Sequence, residues 1–434
     1  MRILLLGSGG REHALAWKIR QSELTDELYI APGNPGTAKC GTNVDLNTSD
    51  FSVIGKFCSS KKIDMVIVGP EEPLVNGLYD FFKSKDSLKH IHFIGPSKAG
   101  ARLEGSKAFA KEFMYRYQIP TAAYREFTID NYEEGVHYLE QHSLPIVLKA
   151  DGLAGGKGVV ICQHHVEAIA EFELMIQQAK FGDAGKKVVV EDFLSGIELS
   201  VFVITDGMHY VLLPEAKDYK RIGEADTGPN TGGMGAISPV PFATPAFMQK
   251  VEERIIRPTI EGLHKEDIPY TGFVFFGLIS VNDEPYVIEY NCRLGDPETE
   301  VVIPRLSSDL VSLCLSAAKG ELQHAELKVD PRAAATIMAV SGGYPLGFNK
   351  GFEISGLDLD YGKQSLLFQA GTKEEKGKII TSGGRVLCVT SLDNELEEAV
   401  NTSLDILDNI QYEAMYYRKD IGYEFLHHPS GNGT

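Results

Sequence analysis

Four short apolar runs separated by helix-length stretches open this chain, and that alternation narrows what its first hundred residues can form. The runs are residues 2–6 (RILLL), 27–30 (ELYI), 64–68 (DMVIV) and 91–94 (IHFI). Strands that alternate with helices build a parallel, doubly wound α/β sheet. Each run leads into a turn rich in Gly or Pro, at 7–11, 31–36, 69–72 and 95–98. In an open parallel sheet those turns share the carboxyl edge, where ligands bind.

The first turn, GSGGRE, opens a helix expected over about 13–20. Free backbone N–H groups and the helix dipole make such a start an anion site, with Gly9, Gly10 and Arg11 as its residues. An ordinary tight βα turn explains the same glycines. A dinucleotide site does not, because Glu12 stands where the third glycine of G-x-G-x-x-G belongs. The second strand also lacks a closing acid for a ribose, since Ile30 runs into Ala31-Pro32-Gly33.

At 434 residues the chain has room for about three domains of roughly 150 residues each. A formal charge of −18 argues against a nucleic-acid surface. Phosphate binding is still open to an acidic protein, because screening over about 8 Å leaves local residues in control. Cys40, Cys58, Cys162, Cys292, Cys314 and Cys388 stand singly, without zinc-ligand spacing, and read as reduced, packed thiols. No apolar run approaches the roughly 18 residues of a membrane span, and Met1-Arg2 leads directly into a strand, so a cytoplasmic protein is expected.

The stretch 103–117 (LEGSKAFAKEFMYRY) reads as a helix entered through Ser106 as N-cap, with Lys107 in its first turn. A lysine there opposes the dipole, so it either turns to solvent or serves a phosphate. Residues 144–160 (LPIVLKADGLAGGKGVV) place Lys149 on a strand, then a loop with Gly152, Gly155, Gly156 and Gly158 around Lys157, then a second strand. Glycines admit backbone N–H groups to phosphate oxygens, and Lys157 adds a point charge. A strand where a helix should follow rules out a Walker A loop. The expectation is a β-loop-β phosphate flap, with a flexible hairpin turn as the alternative. Farther on, a joint at 191–196 links two strands and can offer backbone groups to an adenine edge, with Glu198 facing ribose hydroxyls. Residues 214–239 show neither helical nor strand periodicity, and a loop of that length in a compact domain is usually functional or disordered.

In the strand that begins PYVIEYNCRLGDPETE (285–300), side chains alternate, so Glu289 and Asn291 share a face opposite Tyr290 and Cys292. A carboxylate beside a carboxamide oxygen, roughly 7 Å apart, suits Mg2+ carrying substrate phosphates. An exposed strand with a polar face has the same pattern. From about residue 331, strands AATIMAVS, SLLFQA and GRVLCVTS and an amphipathic helix at 394–410 suggest a third, mixed α/β domain, and the 427–434 end reads as a fraying tail.

Seven stretches, GSGGREHALAW, APGNPGT, VGPEEPLVNG, GPSKAGARLEGSKAFAK, KADGLAGGKGVV, DTGPNTGGMGAISP and EYNCRLGDPETE, occur here in order. In this the chain resembles the phosphoribosylamine-glycine ligases, or glycinamide ribonucleotide synthetases, of the ATP-grasp superfamily. The resemblance implies a Rossmann-like domain over 1–103, an ATP-grasp domain over 104–328 with a mobile lid at about 121–190, and a small C-terminal domain over 329–434. It implies Lys107, Lys149, Lys157, Gly155 and Gly156 at the ATP phosphates, Glu191, Phe193 and Leu194 at adenine, and Glu198 at the ribose. It puts Mg2+ or Mn2+ on Glu289 and Asn291, with Lys157, Arg293 and Asp296 at the reacting centre. The substrate side falls to Gly9, Gly10, Arg11, Glu12, Gly69, Pro70, Glu71, Asp218, Asn230, Thr231, Gly232 and Gly233.

The implied reaction joins glycine to 5-phosphoribosylamine with ATP, through a glycyl phosphate, in a monomer or weak dimer. Two features depart from the expected pattern. The strand 271–280 (TGFVFFGLIS) has no acidic residue to add to the metal pair, and Lys217-Asp218-Tyr219-Lys220 has tyrosine where Gln-Asp-His-Lys has histidine. A different ATP-grasp reaction such as carboxylation, or a nucleotide sensor without turnover, is the competing expectation; the set Lys149, Lys157, Glu289 and Asn291 disfavours the sensor.

Overall fold

The computed structural model describes residues 1–153, 158–178, 186–359 and 361–426. The four apolar runs become the strands Arg2–Gly7, Glu27–Pro32, Met65–Val68 and His92–Pro96. Arg2–Gly7 pairs in parallel with Glu27–Pro32 on one side and Met65–Val68 on the other, and His92–Pro96 joins beyond Met65–Val68. Alternate side chains of the first strand enter two different cores, Leu4 and Leu6 on one side and Ile3 and Leu5 on the other. Burial on both faces explains why these strands read as unbroken apolar runs.

This sheet continues beyond the first hundred residues. Tyr270 and Thr271 of the strand Tyr270–Val281 pair antiparallel with Pro96 and Gly95, which extends the sheet into the middle of the chain. Nine strands therefore share one sheet. Gly272 makes the join possible: a Cβ there would lie 2.8 Å from the Gly95 nitrogen, and its φ is +144°.

A second sheet of four strands is formed by Tyr124–Thr128, Lys187–Asp192, Ile146–Ala150 and Val159–Cys162. It has its own core, in which Phe127, Leu139, Leu148, Phe172 and Val190 are buried. Ile146–Ala150 and Val159–Cys162 are antiparallel neighbours, as a β-loop-β unit requires. Residues 154–157 of the loop, including Gly155, Gly156 and Lys157, lie outside the described residues, as does the 427–434 end.

The C-terminal sheet corrects an expectation about 214–239. Its strands run in the order Lys217–Asp218, Gly235–Ser238, Ala333–Val340, Arg385–Asp393 and Ser365–Gln369. Two of the five come from 214–239, which was expected to lack strands. Arg221–Gly223 and Thr227–Asn230 form a further small hairpin there. These strands of two to four residues are too short to show a period, and they hold because a partner strand already exists. Arg418, fully buried, ties this hairpin to the end of the chain through Asp226 at 2.7 Å and Asp420 at 2.8 Å. The helix Leu396–Leu407 covers the sheet with Ala399, Val400 and Leu407 buried.

Ser106 is the N-cap expected, accepting from the Phe109 N–H at 3.1 Å. The helix it opens is Lys107–Arg116, while 103–105 close a separate helix, Lys98–Gly105. No helix among the described residues is long and apolar enough to cross a membrane, and Cys40, Cys58, Cys292, Cys314 and Cys388 are free thiols.

Candidate active site

The strand Glu284–Asn291 is not a simple alternation. Gly277 pairs with Glu289 and Leu278 with Val287, so Ile288 is an extra residue, a β-bulge. Before it Pro285 and Val287 are buried; after it Tyr290 and Cys292 are. The bulge shifts the pattern by one and leaves Glu289, Asn291 and Arg293 on the less buried face. The Ile288 carbonyl accepts from Lys149 Nζ at 3.0 Å, so the bulge fastens the strand to the small sheet beside the acid-amide pair.

Gly277 lies between Glu289 on one neighbouring strand and Ser200 on the other. A Cβ there would meet Glu289 Cγ at 3.0 Å. Glycine at 277 thus leaves room for the Glu289 side chain. Among the described residues no three His, Cys, Asp or Glu side chains are grouped to hold a metal ion by themselves. One carboxylate and one amide oxygen fit Mg2+, which keeps waters and substrate phosphates in its remaining positions.

Cations gather around this pair. Lys107 Nζ donates to the Gly152 carbonyl at 3.0 Å; burial lowers its pKa, and Glu289 opposes the shift. Ser106 Oγ donates to Asp151 at 3.0 Å, and the Ala108 N–H donates to the same carboxylate at 3.1 Å, so the helix start is locked to the loop. Lys149 is buried against Glu191 at 2.9 Å. Phe193 and Leu194 follow that strand outside regular structure, Phe193 with its ring exposed. Glu198 and Lys220 pair at 2.5 Å, and this ammonium is the main reason the Glu198 carboxyl lies below its usual range. Burial disfavours the Lys220 charge, yet Asp218, Glu198 and Glu289 together raise it well above an ordinary lysine. Asp218 is raised by burial, partly offset by Lys220 at 3.9 Å.

Tyr219 has no part in that cluster. It is 1% exposed in the C-terminal core and its hydroxyl donates to Glu424 at 2.9 Å. Where an imidazole was expected, this chain has a packing residue.

The glycine turn at 7–12 is closed rather than open. The Gly9 N–H donates to Glu12 Oε2 at 2.6 Å, and the Arg11 N–H donates to Asp296 Oδ2 at 3.3 Å. Two of the N–H groups expected to be free at this helix start, those of Gly9 and Arg11, are thus taken by carboxylates. Glu12 is also paired to Arg11 Nε at 2.6 Å and packs against Gly7 and Gly69, so it shapes the turn. Gly10 begins the helix Gly10–Ile19. Pro70 caps the short helix Glu71–Val75, and Glu71 faces Arg293 at 3.4 Å.

Arg293 also reaches Glu104 at 3.0 Å; burial would lower it, but Glu104 and Glu71 outweigh burial and raise it. Asp296 meets Arg385 at 2.9 Å. Burial would raise Asp296, but Arg385 and Arg11 hold it below the usual range. Arg385 also holds the Gly232 carbonyl at 2.5 Å, while the Gly232 N–H donates to Tyr344. Thr231 bonds the Lys220 carbonyl at 2.7 Å, Gly233 packs on Pro297, and Asn230 is exposed.

Sequence reasoning missed several of these groups. Arg385 lies in an apolar strand far along the chain and carried no motif. Glu298 accepts from Ser200 Oγ at 3.0 Å, and burial followed by Asp218 pushes its carboxyl up to about 7. Glu300 is fully buried with neither oxygen hydrogen-bonded, and burial above all raises its pKa well beyond a normal glutamate. Both stood inside a quoted motif, but their burial was not visible there.

A small sheet resting on a larger one, with the buried Lys149 on its strand and an acid-amide pair opposite, is the arrangement of an ATP-grasp enzyme. Models of the phosphoribosylglycinamide synthetase N domain, ATP-grasp (A) domain and C domain match residues 1–104, 105–299 and 334–424. The chain belongs to the phosphoribosylglycinamide synthetase family. It is 46% identical over 429 residues to the phosphoribosylamine–glycine ligase of Vibrio parahaemolyticus, covering 98% of this chain and 99% of that one. The Haemophilus influenzae ligase is 46% identical over 426 residues, with 98% of both chains covered. A crystal structure of the Thermotoga maritima phosphoribosylamine–glycine ligase matches with a TM-score of 0.83 at 35% identity, covering 97% of this chain and 100% of that one. A Campylobacter jejuni biotin carboxylase shares the fold alone, at 16% identity and a TM-score of 0.74, with 99% and 95% covered.

Proposed function

We propose that this chain joins the carboxyl group of glycine to the amine of 5-phosphoribosylamine, giving glycinamide ribonucleotide, ADP and phosphate in purine biosynthesis. The observation that carries the proposal is Lys149 on the Ile288 carbonyl, which sets a buried ammonium one residue from Glu289. ATP phosphates would lie between Lys107, Lys149 and Lys157 on one side and Glu289 and Asn291 on the other. Adenine would lie at Glu191, Phe193 and Leu194, and the ribose at Glu198. Mg2+ or Mn2+ on Glu289 and Asn291 would neutralise charge spreading onto the phosphate oxygens.

A glycine carboxylate oxygen attacks the γ-phosphorus in line as the bond to the β-phosphate oxygen breaks, releasing ADP. The amine nitrogen then attacks the acyl carbon, phosphate leaves, and the amine gives up a proton. Arg293 and Asp296 frame this centre, and the substrate side runs through Gly9, Gly10, Arg11, Gly69, Glu71, Asp218 and residues 230–233. The sheet spanning about 121–190 serves as the lid that keeps water from the acyl phosphate. We further read the protein as cytoplasmic and as a monomer or weak dimer.

Hydroxylamine trapping tests the intermediate. Enzyme, MgATP and glycine, with and without phosphoribosylamine, should give glycine hydroxamate. ADP release that required bicarbonate and ignored glycine would instead assign a carboxylation.

A further inference from the structure

The helix Lys107–Arg116 carries a second lysine that turns inward. Lys111 is 2% exposed; its ammonium lies 3.1 Å from Glu191 Oε2 and donates to Thr121 Oγ1 at 2.8 Å and to the Ala122 carbonyl at 3.1 Å. An ammonium has three donors, so these contacts use all of them. Nothing remains for a nucleotide.

Those partners mark the two places where the chain crosses into the small sheet. Thr121 and Ala122 precede the strand Tyr124–Thr128, and Glu191 stands near the end of Lys187–Asp192. The first crossing is tied to the metal-pair strand as well: Thr121 Oγ1 donates to the Val287 carbonyl at 2.7 Å, and the Val287 N–H donates to the Pro120 carbonyl at 2.8 Å.

Glu191 Oε2 is also the oxygen that Lys149 approaches at 2.9 Å, while Glu191 Oε1 is buried without a hydrogen-bond partner. Two ammoniums thus share one buried carboxylate oxygen. When phosphates draw Lys149 away, Lys111 keeps Glu191 compensated. Without Lys111, releasing Lys149 would strand a bare carboxylate in the interior, and that cost would fall on nucleotide binding.

We propose that Lys111 is a positioning residue for the nucleotide: it fastens both crossings of the lid and frees Lys149 to leave Glu191 for the ATP phosphates. This rests on the reading that those phosphates lie at Lys149. The charged groups facing Lys111 are Glu191 and Asp192 on one strand and Lys149 on the next, with the Tyr124 ring 5.5 Å from the ammonium. Burial brings the Lys111 ammonium down to about 8, with Glu191 opposing the shift. Deprotonation above that pH removes the compensating charge.

The experiment measures MgATP dissociation constants and steady-state kinetics for the full chain, Lys111→Met, Lys149→Met, and Lys111→Met combined with Glu191→Gln. Lys111→Met should weaken ATP about tenfold or more in KM and dissociation constant, with glycine KM and kcat at saturating ATP within about threefold. Glu191→Gln alone is measured as the reference, because Glu191 would also lie at the adenine: in that background the stranded charge is gone and Lys111→Met should cost ATP affinity less than about threefold, whereas a merely structural lysine would cost as much there as in the unaltered chain. Unchanged ATP affinity in Lys111→Met, or an equal loss in both backgrounds, overturns the proposal. Unchanged affinity in Lys149→Met instead overturns the placement of ATP. Should Lys111→Met not fold, the unaltered enzyme decides: ATP affinity should fall as pH rises through about 8, and a flat profile from pH 7 to 9 refutes the role.

Discussion

Arg385 Nη2 lies 2.9 Å from Asp296 Oδ1, and the same guanidinium donates to the Asp296 carbonyl at 2.7 Å and the Gly232 carbonyl at 2.5 Å. A side chain of the C-terminal sheet therefore sets two loops of the candidate site. Arg385→Met leaves Asp296 buried without its guanidinium and should cost about 3 kcal/mol of stability. Activity should fall at least tenfold even where the variant is folded, measured by denaturant titration and by ADP release. Arg385→Lys cannot make the same fork of contacts and should recover only part of the loss.

Glu289→Gln replaces a carboxylate by a neutral oxygen donor. Activity at ordinary Mg2+ should drop more than about a hundredfold and should rise again partly as Mg2+ is increased, since affinity is what is lost. Gly277→Ala should act in the same direction but more weakly, because its methyl would press on Glu289 Cγ at 3.0 Å. Mg2+ titrations of the initial rate for both variants provide the check.

His13 sets an acid limit on stability. Its Nδ1 accepts from the Gln369 N–H at 2.8 Å, joining the first helix to the C-terminal sheet, and burial lowers its pKa to about 4. Between pH about 4 and about 6.5 the unfolded chain binds this proton and the folded one does not, so stability falls as pH falls through that window. The loss approaches about 3 kcal/mol below pH 4. His13→Gln should flatten this part of the stability-versus-pH curve, read by denaturant titration from pH 7 to 4.

Glu300 has the opposite sign. Its folded pKa is raised, so above about pH 4.3 the unfolded chain has lost a proton that the folded chain still holds, and stability falls as pH rises from there. Glu300→Gln keeps the shape and removes that cost. Its Tm at pH 7 to 8 should exceed that of the unaltered chain by a few degrees, and the two should converge toward pH 4.

The parallel strands were legible because burial on both faces writes itself as an apolar run, as in RILLL and MVIV. Ser106 was legible as a cap because its chemistry is local. The local alternation that sets Glu289 and Asn291 opposite Tyr290 and Cys292 could be read; the bulge at Ile288 that shifts it relative to Pro285 and Val287 could not, since a one-residue insertion in pairing leaves no mark in composition. Gly235–Ser238 was invisible as a strand because its partner Ala333–Val340 lies about a hundred residues onward, and Lys217–Asp218 because two residues show no period and pair only with Gly235–Ser238. Lys111 looked like any lysine on an amphipathic helix, and only its neighbours reveal that it is buried. The carboxylate on the Arg11 N–H could not be read either, since Asp296 lies almost three hundred residues away.

The exchange of strands between the middle and the end of the chain has a practical consequence. Gly235–Ser238 takes its hydrogen bonds from Ala333–Val340, and Lys217–Asp218 hangs from its other edge. A fragment ending ahead of residue 333 would bare a sheet edge and remove the guanidinium from Asp296 at once. Cutting the polypeptide there would not yield a working catalytic half and a spare accessory; it would open a seam on which the substrate-side loops themselves are sewn.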